Sequence, residues 1–329
     1  MNNLVFPILK LLADGRFHSG EDIARQFSVT RASVWNAIQA AESLGIEIFS
    51  VRGRGYRLPQ AVQLLEKDAV QLALESNAQP QAQAFTLQVL DEIDSTNRYL
   101  MQQAGQGAPH GSVVAALLQT QGRGRRGRSW QAALGAGLTF SLLWRFQLGA
   151  AALSGLSLAV GLALVRTLHQ FGLQSARLKW PNDVLIGERK LAGILIELQG
   201  DMEGPSAAVI GIGLNLQLPP ATRARIDQPV TDIASHLPVT INPNELLGQL
   251  LLQLSSVLQQ FEQQGFAVLG AEWQRHHAYH LQQVRLLFPD GREQHGEVQG
   301  IADDGVLLVA TAQGVQRFSS GEISLRGAH

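Results

Sequence analysis

The residues best suited to chemistry begin with Gly122-Arg123-Gly124-Arg125-Arg126-Gly127-Arg128-Ser129-Trp130, four arginines and three glycines ahead of a tryptophan. Glycine lets the main chain approach a ligand closely, and arginine presents a planar, permanently charged fork that matches carboxylate or phosphate oxygens. The composition suits a mobile loop that wraps a small anion, with Trp130 as a face on which a ring can stack. Taken alone, the string more often marks a solvated basic loop that adheres to nucleic acid. Its neighbours must decide.

Three further groups of residues stand nearby in the chain. Asp94-Ser95-Thr96-Asn97 gathers hydroxyls and an amide at the start of a helical pattern, where exposed N–H groups hold small polar ligands; capping alone also explains Ser95 or Thr96. Lys179-Trp180-Pro181-Asn182-Asp183 and Lys190-Leu191-Ala192-Gly193-Ile194 supply two cations and a carboxylate. Lys190 can neutralise an anion or only snorkel from a strand end, and Asp183 can take a proton from an amine or merely occupy a turn. Gly211-Ile212-Gly213-Leu214-Asn215 allows close approach to a strand, but no βαβ unit surrounds it, so it is no dinucleotide fingerprint. His276, His277 and His295 lack convergent partners at ligand spacing and read as surface histidines.

Elements must position these groups. Alternation predicts strands at Phe85–Leu90, Val113–Leu118, Leu138–Trp144 and Val209–Leu216, and a helix from Asp94 to Ala104. The second strand delivers Gln119 directly into the glycine-arginine loop. Ala151–Phe171 reads as one long helix, interrupted by too many small residues and Arg166 to be transmembrane. Residues 177–186 and 190–197 read as a hairpin in which Pro181 bends the first strand to display Asn182 and Asp183. From about residue 280, short strands with tight turns at Pro289-Asp290-Gly291 and Asp303-Asp304-Gly305 suggest a small barrel.

The first 60 residues follow a different pattern. Helical spacing of Leu4, Val5, Ile8, Leu9 and Leu12 stops at Asp14-Gly15; Ser19 with Asp22 forms a capping box before a second helix; Thr30 caps a third. A hairpin tipped by Arg52-Gly53-Arg54-Gly55 follows, as in a winged helix-turn-helix. Arg31, Ser33, Trp35, Asn36 and Gln39 then face a groove, and Arg52 and Arg54 hold phosphates, although Trp35 is equally suited to the core. A single module of this kind gains affinity by dimerising on two half-sites.

Composition sets limits. At 329 residues, two or three domains are expected, and 45% hydrophobic residues give ample core. The absence of cysteine excludes disulfides and thiolate sites. Net charge is −1, with +2 in residues 1–60 and −3 beyond, so nucleic-acid contact must come from a local patch. No signal peptide or membrane-spanning run is visible, and a cytoplasmic protein without membrane contact is expected.

Together, Asp94–Asn97, Gln119 with Gly122–Trp130, Lys179–Asp183, Lys190–Glu197 and Gly211–Asn215 resemble the biotin protein ligases; the N-terminal segment and Ser320–Arg326 extend the resemblance to those that also repress the biotin operon. Arg98 replaces a glutamine found in some members. The resemblance implies a multidomain α/β chain: a winged helix-turn-helix at 1–62, a linker helix and linker at 63–83, a class II synthetase-like mixed sheet with helices at 84–277, and an SH3-like β-barrel at 278–329. It further implies that ATP with Mg²⁺, bound by no protein-only metal cage, converts biotin to biotinyl-5'-AMP, and that biotin then passes to a lysine of the biotin carboxyl carrier protein of acetyl-CoA carboxylase. On the same basis Ser95, Thr96, Asn97, Gln119, Gly122, Arg123, Arg125, Lys190 and Gly193 bind biotin. Arg123, Arg125, Arg128, Trp130, Lys179, Asn182 and Asn215 meet the nucleotide, and Arg125, Lys190 and Asp183 serve the chemistry. Arg31, Ser33, Asn36, Gln39, Arg52 and Arg54 would contact operator DNA in a homodimer formed on biotinyl-AMP. A winged-helix sensor without ligase activity, a lipoate-type ligase, and an RNA-binding protein remain alternatives, the last disfavoured because buried strands flank the loop.

Overall fold

The computed structural model describes residues 4–76, 85–131, 133–200, 203–320 and 323–327. The polar linker stretch from residue 77 to 83 therefore lies outside the described residues, as do Gly321 and Glu322.

Three helices, α1 (Val5–Leu12), α2 (Gly20–Gln26) and α3 (Arg31–Ser43), bury Ile8, Leu12, Ile23, Val34 and Ile38 against one another. Thr30 caps α3 by accepting from Ser33 N, and Ser19 caps α2 by accepting from Asp22 N. The Asp22 carboxylate accepts from the Ser19 hydroxyl at 2.7 Å, so that pair departs from the reciprocal capping box in which the carboxylate takes the cap's N–H. The wing is β1 (Phe49–Val51) with β2 (Gly55–Arg57), clipped to the helices by paired backbone bonds between His18 and Tyr56. Only glycine fits at 55, where a Cβ would stand 1.9 Å from the His18 carbonyl oxygen.

The linker helix α4 spans Lys67–Glu75, within the expected segment 63–83. The Asn244 side chain bonds the Leu64 carbonyl and the Glu66 N–H, which holds that approach extended.

A seven-stranded mixed sheet follows. In chain order its elements are β3 (Thr86–Ile93), α5 (Thr96–Gly105), β4 (Ser112–Gln119), β5 (Gly137–Phe146), α6 (Leu156–Gln170), β6 (Ala176–Lys179), β7 (Asp183–Ile186), β8 (Arg189–Gly200) and β9 (Ser206–Asn215). The spatial order is β3-β4-β5-β9-β8-β7-β6, and only β3 and β4 run parallel. Period-two burial sends Val113 and Ala115 to one face and Val114 to the other. Helix α5 covers the second face through Leu100 and Ala104. The first face is covered by α6, the short α7 (Pro220–Ala224) lies off the sheet end, and α8 (Pro243–Gln264) packs on α6 before α9 (Ala267–Arg275).

Two expectations are corrected here. The helix predicted over Ala151–Phe171 is broken: a 3₁₀ turn at Ala150–Leu153 is followed by Ser154 and by Gly155, whose φ of 82° interrupts the helical path before α6 starts at Leu156. The predicted hairpin is a three-stranded meander: the chain turns at Trp180–Asn182, β6 pairs antiparallel with β7, and β7 pairs antiparallel with β8.

The C-terminal domain is a five-stranded antiparallel sheet, ordered β13-β12-β11-β10-β14. Its strands are β10 (Gln283–Leu287), β11 (Glu293–Ile301), β12 (Leu307–Thr311), β13 (Gly314–Phe318) and β14 (Ser324–Gly327), with a register shift between Val298 and Gly300; among the described residues β13 and β14 are the two edges and do not pair, so the sheet is not closed into the expected barrel. Among the described residues no helix is long and apolar enough to cross a membrane.

His277 is not a surface histidine. It is buried beside Trp273, with ring centroids 4.7 Å apart, and neither ring nitrogen has a hydrogen-bond partner among the described residues. The reason is its backbone: His276 O and Ala278 N bond to Leu178, which adds this segment to the β6 edge and turns the ring inward. Burial lowers its pKa to about 3. An unfolded imidazole protonates near 6.5, so the neutral ring's contribution is complete above that pH and is lost progressively as the pH falls towards 3. In urea titrations, His277→Leu is expected to flatten the fall in stability below pH 6.5, by up to about 1.4 kcal/mol per pH unit; unchanged pH dependence counts against the buried neutral ring.

Candidate active site

Where β4 ends and α5 begins, a chain of buried polar groups forms the floor of a cavity. Ser95 caps α5, and Gln119 Oε1 accepts from the Thr96 N–H at 2.8 Å and from its hydroxyl at 3.2 Å. Ser141 Oγ lies 2.8 Å from Thr96 Oγ1 and 2.6 Å from Asn97 Oδ1. Asn97 Nδ2 donates to Glu197, which pairs in turn with Arg123 at 2.9 Å. The walls come from β8 and β9, and their glycines are required by what rests on them. A Cβ on Gly213 would stand 2.3 Å from the Trp130 ring, and one on Gly211 would stand 2.1 Å from Asn97 Oδ1. A Cβ on Gly193 would meet the end of Lys190 at 3.0 Å and the Trp130 ring at 3.5 Å, a looser contact.

The glycine-arginine loop is closed at its neck by Trp130 N to Gly122 O and Gly124 N to Arg128 O, each 2.8 Å. Its tip is a 3₁₀ turn, Arg125–Gly127, docked onto other elements. Arg125 donates to Asn182 Oδ1 at 3.1 Å and to the Ser320 carbonyl, and Arg126 donates to Ser324 Oγ at 2.9 Å. Asn182 is itself held, its amide donating to Ile194 O and its carbonyl accepting from Ile194 N. A second cavity opens beyond this contact, lined by Arg125, Arg128, Lys179, Asn182, Asp183 and Lys190 from the central domain and by Ser324 and Arg326 from β14.

Electrostatics distinguish the cations. Lys190 Nζ pairs with Asp183 Oδ1 at 2.7 Å, both side chains largely buried. Lys179 is 8% exposed, and burial, with Arg326 nearby, lowers its ammonium to about 8. Burial, then Arg126, also lowers Arg125, while Asp183 opposes them. The two cavities share Gly124, Arg125, Trp130, Asn182 and Lys190.

The residues singled out in the sequence are thus largely brought together, with two exceptions. Gly122 is buried at the loop's neck, and Asn215 lies outside both cavities with its amide spent on Thr231 O at 2.9 Å. Arg98, whose partner was open, pairs with Asp94 at 2.7 Å. Thr139 and Gln228, which line the cavities, and Ser141, which holds Thr96 and Asn97 from behind, were missed; two hydroxyls inside the apolar run Leu138–Trp144 were the available signal for the first and last.

Comparison with known proteins settles the family. Residues 89–215 match the biotin/lipoate A/B protein ligase family, 5–57 an HTH domain, and 282–326 the biotin protein ligase C-terminal domain. The bifunctional ligase/repressor BirA of Salmonella typhimurium is 36% identical over 98% of this chain and 97% of its own length. The chain belongs to the BirA family of bifunctional biotin ligase/repressors. The BirA of Escherichia coli is 35% identical over 99% of this chain and 98% of its own. A biotin protein ligase from Aquifex aeolicus, solved with biotin and ATP, superposes with a TM-score of 0.63 at 29% identity, covering 74% of this chain and 99% of that one.

In this BirA-family chain the predicted DNA-contacting residues stand on α3 and the wing. Arg31, Asn36, Gln39, Arg52 and Arg54 are exposed, as is Trp35 at 54%, so the core reading of Trp35 is corrected. At about 100° per residue it stands beside Val34 and Ile38 at the border of the buried face rather than within it. Ser33 is half-buried and occupied with the Thr30 cap; the Gln39 amide is held by Glu42 at 2.8 Å; Arg54 lies 4.2 Å over the Phe17 ring.

The contact between Trp130 and Gly213 can be tested directly. Gly213→Ala would displace the ring, and calorimetric biotin binding is expected to weaken by about tenfold or more. Unchanged affinity would mean that the ring's place over β9 is immaterial to ligand binding.

Proposed function

We propose that this chain joins biotin to ATP to give biotinyl-5'-AMP and pyrophosphate, transfers the biotinyl group to one lysine of the biotin carboxyl carrier protein, and as the adenylate complex dimerises on the operator of biotin biosynthesis genes. The observation that carries the reading is the shared wall of two cavities, with Arg125 and Lys190 standing where both open. The first cavity suits biotin: Thr96, Asn97 and Gln119 offer fixed polar groups, Arg123 a cation at the rim, and Trp130 and Gly193 an apolar wall. The second suits an adenylate, with Arg128, Lys179 and Asn182 around it. Among the described residues no cluster of His, Asp or Glu is suited to hold a metal alone, so Mg²⁺ would be held by the nucleotide phosphates, whose charge it would shield.

In the first step a biotin carboxylate oxygen bonds to the α-phosphorus and the bond to pyrophosphate breaks. Neither step needs a protein nucleophile. The barrier is the approach of two anions, and cations fixed beforehand at the junction lower it electrostatically. In the second step the acceptor amine attacks the acyl carbon and AMP leaves. A free lysine is mostly protonated at neutral pH, so a base must take a proton from it; we assign that role to Asp183, which lines the second cavity beside Lys190.

Lys190→Ala and Arg125→Gly are each expected to slow transfer of radiolabelled biotin to the carrier protein by about a hundredfold or to let the adenylate escape into solution. Wild-type transfer rates in either variant would remove that residue from the mechanism. Pyrophosphate exchange driven by biotin, and not by lipoate, identifies the acid; a chain that only senses ligand shows no exchange with either.

Regulation is testable separately. Adenylate that orders the loop should favour a dimer, coupling occupancy to operator binding. Analytical ultracentrifugation is expected to show a smaller monomer fraction with biotin and ATP than without; equal fractions contradict the coupling.

A further inference from the structure

Three segments distant in sequence meet beneath the turn that carries Asn182. Trp180, 1% exposed, donates its indole N–H to the Gly305 carbonyl at 3.1 Å. Two other buried tryptophans, Trp144 and Trp273, leave that N–H without a partner among the described residues, so the bond is not a general outcome of burying tryptophan in this chain. Gly305 lies in the turn between β11 and β12 with φ of +80°, and a Cβ there would stand 2.6 Å from the Cα of Gly155 at the start of α6. The Ser154 hydroxyl donates to the Asp304 carbonyl, and the Asp304 carboxylate pairs with Arg317 at 2.6 Å, fixing the turn to β13. From the other side Ser157 donates to the Pro181 carbonyl at 2.9 Å.

We propose that the Asp303–Gly305 turn is a positioning element for the nucleotide half of the site: Gly305, through Trp180, sets the place of Asn182 and hence of Arg125. The inference rests on the reading that the second cavity holds the adenylate. Trp180 and Pro181 line that cavity and not the first. The floor of the first cavity, Thr96, Asn97 and Gln119, is held by hydrogen bonds within itself and to Ser141 behind it, and makes none to this turn among the described residues. The turn reaches the first cavity only through Asn182 and Arg125, which line both, and not through its polar floor, so the nucleotide should feel the turn more than biotin.

Two substitutions probe it in the full chain. Gly305→Ala puts a methyl against the Gly155 backbone at a left-handed φ, and Trp180→Phe keeps an aromatic ring but removes the N–H. In biotin-dependent ATP–pyrophosphate exchange, Gly305→Ala is expected to raise the KM for ATP about tenfold or more and Trp180→Phe about threefold, with the KM for biotin within about twofold of the unmodified protein. Equal rises in both constants, a fall in kcat alone, or no change would overturn the proposal. If Gly305→Ala does not fold, Trp180→Phe alone carries the test. An unmodified protein without exchange would instead overturn the reading of the second cavity, and this inference with it.

Discussion

Repulsion between two anions is the constraint on which the site's architecture depends. At roughly 4 Å and an effective dielectric constant of about 20, two unit charges oppose each other by about 4 kcal/mol. A chain that brings carboxylate and phosphate together must place cations at the meeting point in advance, and those cations need a reason to stay there. Here each has one. Lys190 is paired with Asp183, Arg125 is bonded to Asn182, and Arg123 is paired with Glu197. Such partners compensate burial until an anion arrives.

Sheet order makes those partners available. Strands β8 and β9 lie centrally, and their glycines leave a trough in which Trp130 and the Asn97 amide rest. The parallel pair β3 and β4 brings the start of α5 beside Gln119, so polar floor and cationic rim belong to neighbouring strand ends. The C-terminal domain adds the far wall. Arg126 reaches Ser324 across that boundary, so the loop spans two domains.

Much of this was legible because each function demands an unusual residue type. Four arginines among glycines, a hydroxyl-rich helix start and paired glycines in an apolar strand all depart from what packing alone asks for. The winged helix was legible for a different reason: Ser19 and Thr30 are caps, and caps mark boundaries. What escaped depended on tertiary contact. Pro181 signalled a bend, but not that the chain would reverse there into a separate strand. His277 carries no local sign of burial, since its place is fixed by pairing with Leu178, some hundred residues away in sequence. Asn215 sits at the end of a glycine strand yet serves to tie Thr231, a segment without periodicity to announce it. Ser141 was hidden by the strand that contains it.

The arginine loop shows why composition alone misleads. A basic, glycine-rich string would bind nucleic acid only if its charges faced solvent together. In the fold Arg123 is committed to Glu197, Arg125 to Asn182, and Arg126 to Ser324, three partners on two domains. A rigid duplex would have to break those contacts to reach the guanidinium groups. By contrast Arg31 and Arg52 stand on an exposed helix and wing tip, and Arg54 rests only on the face of Phe17, a contact that leaves its N–H groups at the edge free to turn outward. In a chain of net charge −1, the fold thus separates one set of cations gathered around two cavities from another exposed on α3 and the wing.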